Sequence, residues 1–243
     1  MIDLGHFNDR NIPPSVFDPG EHAGLYRLNS QGYRCADWST MPAGKKNVVV
    51  LGCSHTFGEG LAEDEHWVHF LSQHNTKRLR YWNLAQPGAS ADRIVRTLWG
   101  SEQVIDPKVV VVCWPVWSRR EILDVEPISA HSDHEELARL NDTRDRNNFL
   151  MNVFWVEKYA EKNHAQTFHC FAQEDYHEHI QHVAGINVMP THTIGNCWPY
   201  WHKVHNTVYE DEPSVARDGK HFGVEHHKRF TELFLERFGS KLK

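Results

Sequence analysis

The sequence predicts an α/β domain built on a mostly parallel sheet. Three observations carry this. Two short runs, Asn47–Cys53 (NVVVLGC) and Val109–Trp114 (VVVVCW), are continuous and valine-rich, as strands covered on both faces are. Segments with helical spacing stand between the strand candidates, and such alternation gives parallel strands joined by right-handed crossovers. The 243 residues, 40% hydrophobic and 24% charged, suffice for one such domain with a substantial core, and argue against wholesale disorder.

The elements follow in order. Residues 1–45 read as an irregular lead-in packed on the domain, because Pro13, Pro14, Pro19 and Pro42 break any periodicity. Within it, Leu28–Arg34 (LNSQGYR) reads as a turn. Asn47–Cys53 is the first strand. A helix over about Asp64–His74 puts Trp67, Phe70 and Leu71 on one side. Tyr81–Leu84 is a short second strand. Ser90 or Asp92 caps a helix running to about Val104, with Ile94, Val95 and Leu98 on its stripe. Val109–Trp114 is the third strand. Residues 119–148 are polar and read as an insertion, a loop with some helix. Phe149–Asn163 is amphipathic, with Val153, Val156, Tyr159 and Ala160 at helical spacing. Gln166–Phe171 is the fourth strand, Glu174–Val183 a helix and Ile186–Met189 a short fifth strand. Val224–Phe238 closes the chain as a helix carrying Phe230, Leu233, Phe234 and Phe238. There is no internal repeat, so 46–243 reads as a single domain.

Charge and length exclude several functions. Twenty-six Lys and Arg against 32 Asp and Glu leave a net charge of −6, where general nucleic-acid binding needs a basic footprint. No apolar stretch approaches the roughly 18–20 residues that span a bilayer. Asp3 and His6 stand where a secretion signal needs an apolar run. The five cysteines, at 35, 53, 113, 170 and 197, form no CxxC pair, so neither a disulfide framework nor a cysteine-based zinc site is indicated. A reducing, cytoplasmic setting is the expectation.

Three stretches carry candidate chemistry. The first strand runs into Gly52-Cys53-Ser54-His55-Thr56-Phe57-Gly58-Glu59-Gly60 and then toward a helix. That places Ser54 at the carboxyl edge of the sheet, where ligands bind in parallel α/β folds. Helical N–H groups there favour a developing oxyanion. Thr56 breaks the Gly-x-Ser-x-Gly elbow, and no Gly-Lys-Ser/Thr completes a P-loop. The plainer alternative is a glycine-rich turn with an incidental serine. In Asp218-Gly219-Lys220-His221-Phe222-Gly223, the carboxylate three residues before the histidine can reach its Nδ1–H and leave Nε2 facing outward. In Asn83-Leu84-Ala85-Gln86-Pro87-Gly88-Ala89-Ser90, directly after the second strand, Gly88 can bring a backbone N–H close to an oxyanion.

Taken in order, these stretches resemble the SGNH (GDSL-like) hydrolase superfamily. GCSHTFGEG is similar to its nucleophile block, NLAQPGAS to the block supplying an oxyanion glycine, and DGKHFG to its terminal Asp-x-x-His. LNSQGYR resembles the lead-in many members carry, so the likeness runs from about Leu28 to Gly239. It implies a flavodoxin-like three-layer α/β/α fold with a mostly parallel five-stranded sheet. It also implies ester hydrolysis through an acyl-serine, with no cofactor and no metal. Ser54 would be the nucleophile, His221 the base and Asp218 its orienting acid, with the N–H groups of Ser54 and Gly88 facing the oxyanion. The substrate would be a small-molecule or carbohydrate ester with a small acyl group such as acetyl.

Two departures stand out. Cys53 replaces the acid usual after the first glycine. The family's Gly-x-Asn-Asp is absent after the third strand, which ends Cys113-Trp114-Pro115-Val116-Trp117-Ser118-Arg119-Arg120-Glu121. Pro115 lies near where the oxyanion asparagine would fall and offers no donor. The candidates to replace it are Ser118, Arg119, and the indole N–H of Trp114 or Trp117.

Two rival readings remain. His169, His177, His179, His182, His192, His202 and His205, among 19 histidines, invite a metal-dependent hydrolase. They form no His-Glu-x-x-His, so the expectation is solvated surface histidines. Alternatively, the fold is a weak or inactive module that binds a glycan on a surface around Trp114, Trp117, Trp198 and Trp201.

Overall fold

The computed structural model describes residues 24–40, 44–119, 142–172, 177–184 and 215–242. Four strands, β1 (Lys46–Gly52), β2 (Leu79–Asn83), β3 (Pro107–Trp114) and β4 (Gln166–Phe171), form one sheet in the order β2-β1-β3-β4. Every pairing is parallel. That is the start of the flavodoxin-like 2-1-3-4-5 order. The predicted fifth strand, Ile186–Met189, lies outside the described residues.

The valine runs form strands because both faces of the sheet are covered. Val48 and Val50 join Val109, Val111, Phe168 and Cys170 on one face. There they meet Trp67, Val68 and Leu71 of α2 (Trp67–Ser72) and Phe230, Phe234 and Phe238 of α6 (Val224–Phe238). Val49, Leu51, Val110, Val112 and Trp114 point to the other face. They pack on Ile94 and Leu98 of α3 (Ala91–Ile105), on Phe149, Val153 and Val156 of α4 (Asp142–Asn163), and on Ile180 of α5 (His177–Ala184). The period of two along each strand thus builds a three-layer α/β/α sandwich.

Some boundaries moved for identifiable reasons. α2 starts later than the apolar pattern suggests because the His66 side chain caps it, accepting from the His69 N–H at 3.2 Å. α4 starts earlier, at Asp142, inside the predicted insertion. Its polar first turns lack an apolar stripe, yet Asn148 and Asn152 donate to Asp92 on α3, at 3.0 and 2.9 Å, and tie the two helices together. Ser90 is the α3 cap, accepting from the Arg93 N–H at 3.2 Å. No helix of the described residues is long and apolar enough to cross a membrane.

The Leu28–Arg34 turn forms as read: Asn29 Oδ1 accepts from the N–H groups of Gln31 and Tyr33. It delivers Arg34 into the interior, 1% exposed.

Candidate active site

β1 ends at Gly52, and the chain passes through extended Cys53 into the single turn α1 (Ser54–Phe57). Gly52 cannot carry a side chain: a Cβ there would stand 2.6 Å from Thr56 Cβ and 2.9 Å from the Cys113 carbonyl on β3. Gly58, at φ 84°, closes α1 by donating to the Ser54 carbonyl. This left-handed conformation is one that glycine adopts freely. Ser54 therefore sits at the carboxyl edge of the sheet, 7% exposed.

Arg34 clamps this turn from below. Its guanidinium donates to the carbonyls of Phe57, Gly58 and Leu61 at 3.1, 2.7 and 2.8 Å and pairs with Glu63 at 3.0 Å. It also lies against the Tyr26 and Phe57 rings. From sequence alone this residue is only part of a lead-in turn.

The loop before α6 folds back on itself. A bridge joins Val215 to Phe222, and the Ala216 N–H donates to the His221 carbonyl at 2.8 Å. Asp218 Oδ2 and His221 Nδ1 are 2.5 Å apart, while Asp218 Oδ1 accepts from the N–H groups of Lys220 and His221, both at 3.0 Å. Burial by itself would raise the Asp218 carboxyl. The His221 ring and the two backbone donors outweigh it and hold the group well below the usual carboxylate range. An ionised carboxylate can only accept, so Nδ1 carries a ring proton and Nε2 is the nitrogen turned away from Asp218.

This loop is fastened to the turn that carries Ser54. Gly60, at φ 75°, lies so close that a Cβ would meet Asp218 Cγ at 2.9 Å. The Arg217 N–H donates to the Gly60 carbonyl at 3.1 Å. Arg217 also pairs with Glu65, and this hydrogen bond is the main reason the Glu65 carboxyl falls to about 2. The His221 ring meets the His55 ring edge-on, with centroids 5.1 Å apart, which brings it over the residue next to Ser54. Among the described residues no hydrogen bond joins Ser54 Oγ to His221. Catalytic hydrogen bonds often tighten only when substrate binds. The acidic atom recorded near His221 Nε2 is Glu59 Oε2 at 3.7 Å. Burial pushes the Glu59 carboxyl up. Glu59, Gly60, Glu65 and Arg34 all escaped the sequence reading. The Gly-Glu-Gly at 58–60 was the one visible signal.

Gly88 occupies a tight turn, with the Ala89 N–H donating to the Gln86 carbonyl at 3.1 Å and φ 74° at Gly88. Pro87 followed by glycine at positive φ is the type II pattern. A Cβ at Gly88 would meet nothing within 4 Å. The Gln86 N–H donates to the Gly52 carbonyl at 3.2 Å, so the turn hangs from the end of β1.

The end of β3 forms the opposite wall. The Trp114 indole is fully buried, and its Nε1–H donates to His169 Nδ1 at 3.0 Å. Trp114 therefore belongs to the core, which removes it both as an oxyanion donor and as a glycan-binding surface. His169 is likewise fully buried, with Nε2 2.7 Å from Glu157, which corrects its reading as a solvated histidine. Trp117 is half-buried against His179. Ser118 and Arg119 are half-buried in the turn closed by the Arg119 N–H donating to the Val116 carbonyl at 3.1 Å. Trp198, Trp201, His192, His202 and His205 lie outside the described residues, as do the side chains of His177 and His182. Among the described residues, the group of three metal-ligating side chains that converges is Glu59, Asp218 and His221, with donor atoms within 4.8 Å of one another.

No family model and no curated protein matches the chain. Solved structures do. TesA superposes with a TM-score of 0.55 and 14% identity over 81% of this chain and all of that one. The psychrotrophic esterase EstA from Pseudoalteromonas sp. gives 0.51 and 12% over 82% of this chain and 99% of that one. A two-domain esterase active on acetylated mannans gives 0.52 and 12% over 81% of this chain and 49% of that one. The fold is that of the SGNH hydrolases.

Proposed function

We propose that the protein is a serine esterase. The observation that carries the reading is the Asp218–His221 pair packed over the turn that presents Ser54. Ser54 Oγ attacks the ester carbonyl carbon while its proton passes to His221 Nε2. Asp218 holds the imidazole in the required tautomer and stabilises the imidazolium. The N–H groups of Ser54 and Gly88 face the oxyanion. The first N–H groups of a helix have no intrahelical partner, which leaves that of Ser54 available. The carbon–oxygen bond to the alcohol breaks, and the alcohol leaves with the proton from His221. Water then attacks the acyl-serine, giving its proton to His221. The released acid and the restored Ser54 hydroxyl complete the cycle.

The acyl group we propose is small, acetyl on a carbohydrate alcohol. The support is the fold shared with an esterase active on acetylated mannans.

The test is labelling by a fluorophosphonate together with turnover of para-nitrophenyl acetate. Ser54→Ala is expected to lose both, with kcat down by about 10⁴-fold or more. Its melting temperature should stay within about 2 °C of wild type. A variant that still turns over the ester at the wild-type rate rules the serine mechanism out.

A further inference from the structure

Two guanidinium groups reach into the described interior around Ser54, and they are used differently. Arg34 places its donors on Glu63 and on the carbonyls of the nucleophile turn. Arg119 Nη1 is buried, and among the described residues it has no hydrogen-bond partner. Leaving a buried donor unpaired is costly, and more so for a charged group. A cation held in that state is suited to a partner that arrives from outside.

Geometry places Arg119 at the mouth of the site. β3 pairs with β1 so that Cys113 stands opposite Gly52. The residues after Trp114 therefore leave the sheet at the same edge as Ser54. Pro115 fixes one φ, and the Val116–Arg119 turn fixes the backbone that carries Arg119. The Arg119 charge acts on Cys53 and His55, the two neighbours of Ser54, and on Glu59 further along the same turn. Among the described residues no ion pair joins Arg119 to Glu59.

We propose that Arg119 receives a negatively charged group of the substrate, a carboxylate or a phosphate, making this a site for anionic esters. The proposal rests on the esterase reading. A guanidinium is always charged, and its planar fork matches a carboxylate or a phosphate through two parallel hydrogen bonds. The single oxygen of a tetrahedral intermediate would use one arm of that fork. A ligand with two oxygens uses both.

The experiment compares esters that differ only in charge. On the alcohol side these are para-acetoxybenzoate against its methyl ester, and para-acetoxyphenyl phosphate against its neutral dimethyl ester. On the acyl side they are the para-nitrophenyl half-ester of succinate and its methyl ester. Wild type should prefer at least one anionic member by about tenfold or more in kcat/KM, the worth of one charged hydrogen bond, expressed mainly in KM. Which pair shows the preference identifies the side of the ester and the kind of anion. Arg119→Gln should erase the preference and Arg119→Lys should keep part of it. No preference in wild type, or one that survives Arg119→Gln, overturns the proposal. So does an equal loss of kcat on neutral and anionic esters, which would make Arg119 an oxyanion donor.

Binding is measured separately, by calorimetry on Ser54→Ala protein with succinate, para-hydroxybenzoate and inorganic phosphate. Uptake of at least one that is lost with Arg119→Gln supports the site, and no Arg119-dependent uptake overturns it. If wild type hydrolyses none of the esters, the esterase reading falls and calorimetry alone decides the anion site.

Discussion

The two walls beside Ser54 are built in opposite ways. On the side of the Asp218–His221 loop, polar groups are cross-linked several times over. Arg34 holds the nucleophile turn through three carbonyls, Arg217 holds Glu65, and Asp218 accepts from one ring and two backbone donors. On the β3 side, among the described residues, a backbone hydrogen bond closes the Val116–Arg119 turn and a buried guanidinium nitrogen has no hydrogen-bond partner. Groups that move protons must hold their geometry to a fraction of an ångström, and redundancy of hydrogen bonds gives that. A wall that receives a ligand must keep donors in reserve.

The largest effect is expected at Asp218→Asn. The asparagine oxygen still accepts from the Lys220 and His221 N–H groups, so the loop keeps its shape. Its amide, however, donates to His221 Nδ1 and drives the ring proton to Nε2, where the base should be. Turnover of para-nitrophenyl acetate should fall by about 10³–10⁴-fold with the fold intact by circular dichroism. Retention of activity within tenfold would show that the tight wall is structural and not catalytic.

Next in size is Arg34→Met. The replacement fills the same space but leaves the carbonyls of Phe57, Gly58 and Leu61 without their donor. At about 1–3 kcal/mol per unpaired group, and with incomplete additivity, the loss is about 3 kcal/mol. At roughly 2–4 °C per kcal/mol for a chain of this size, the melting temperature should drop by about 6–12 °C. Arg119→Gln removes a cation with an unsatisfied nitrogen and should lower it by no more than about 2 °C. Equal losses in calorimetric scans of the two variants would erase the contrast between the walls.

How much of this was legible in the sequence follows from the range of the interactions. β4 and α6 have the bounds the pattern predicts, Gln166–Phe171 and Val224–Phe238, because local periodicity and burial agree there. The Asp218–His221 pair was legible for the same reason: three residues in one loop fix the geometry. Arg34, Glu59 and the Glu65–Arg217 pair were not. Arg217 and Glu65 are 152 residues apart, and no period or motif connects them. His169 and Trp114 were misread because a buried, mutually bonded pair looks like a surface pair until the parallel register sets β4 beside β3. β3 ends in Trp114, a residue the core has already used.

The smallest effect sharpens the comparison through pH. His55, His66 and His227 pack around the tight wall, and burial pushes each below its ordinary value, His227 to about 3. His227 Nδ1 accepts from the Trp67 N–H at 3.0 Å, so protonating that nitrogen would cost a hydrogen bond as well as solvation. In the unfolded chain the same ring titrates at about 6.5. Above that value both states are neutral and the stability is fully present. As pH falls from 6.5 toward 3, the unfolded chain takes up a proton that the folded chain refuses, and stability is lost. Between pH 7 and 5.5, before most carboxylates titrate, His227 should remove about 1 kcal/mol. His227→Asn keeps an oxygen acceptor for Trp67 but has nothing to titrate. Its overall stability can differ from wild type. The quantity that reads His227 is the change between the two pH values, which urea unfolding should show smaller by about 1 kcal/mol in the variant. An unchanged slope would mean that His227 takes its proton in the folded state, and that this part of the wall opens to water.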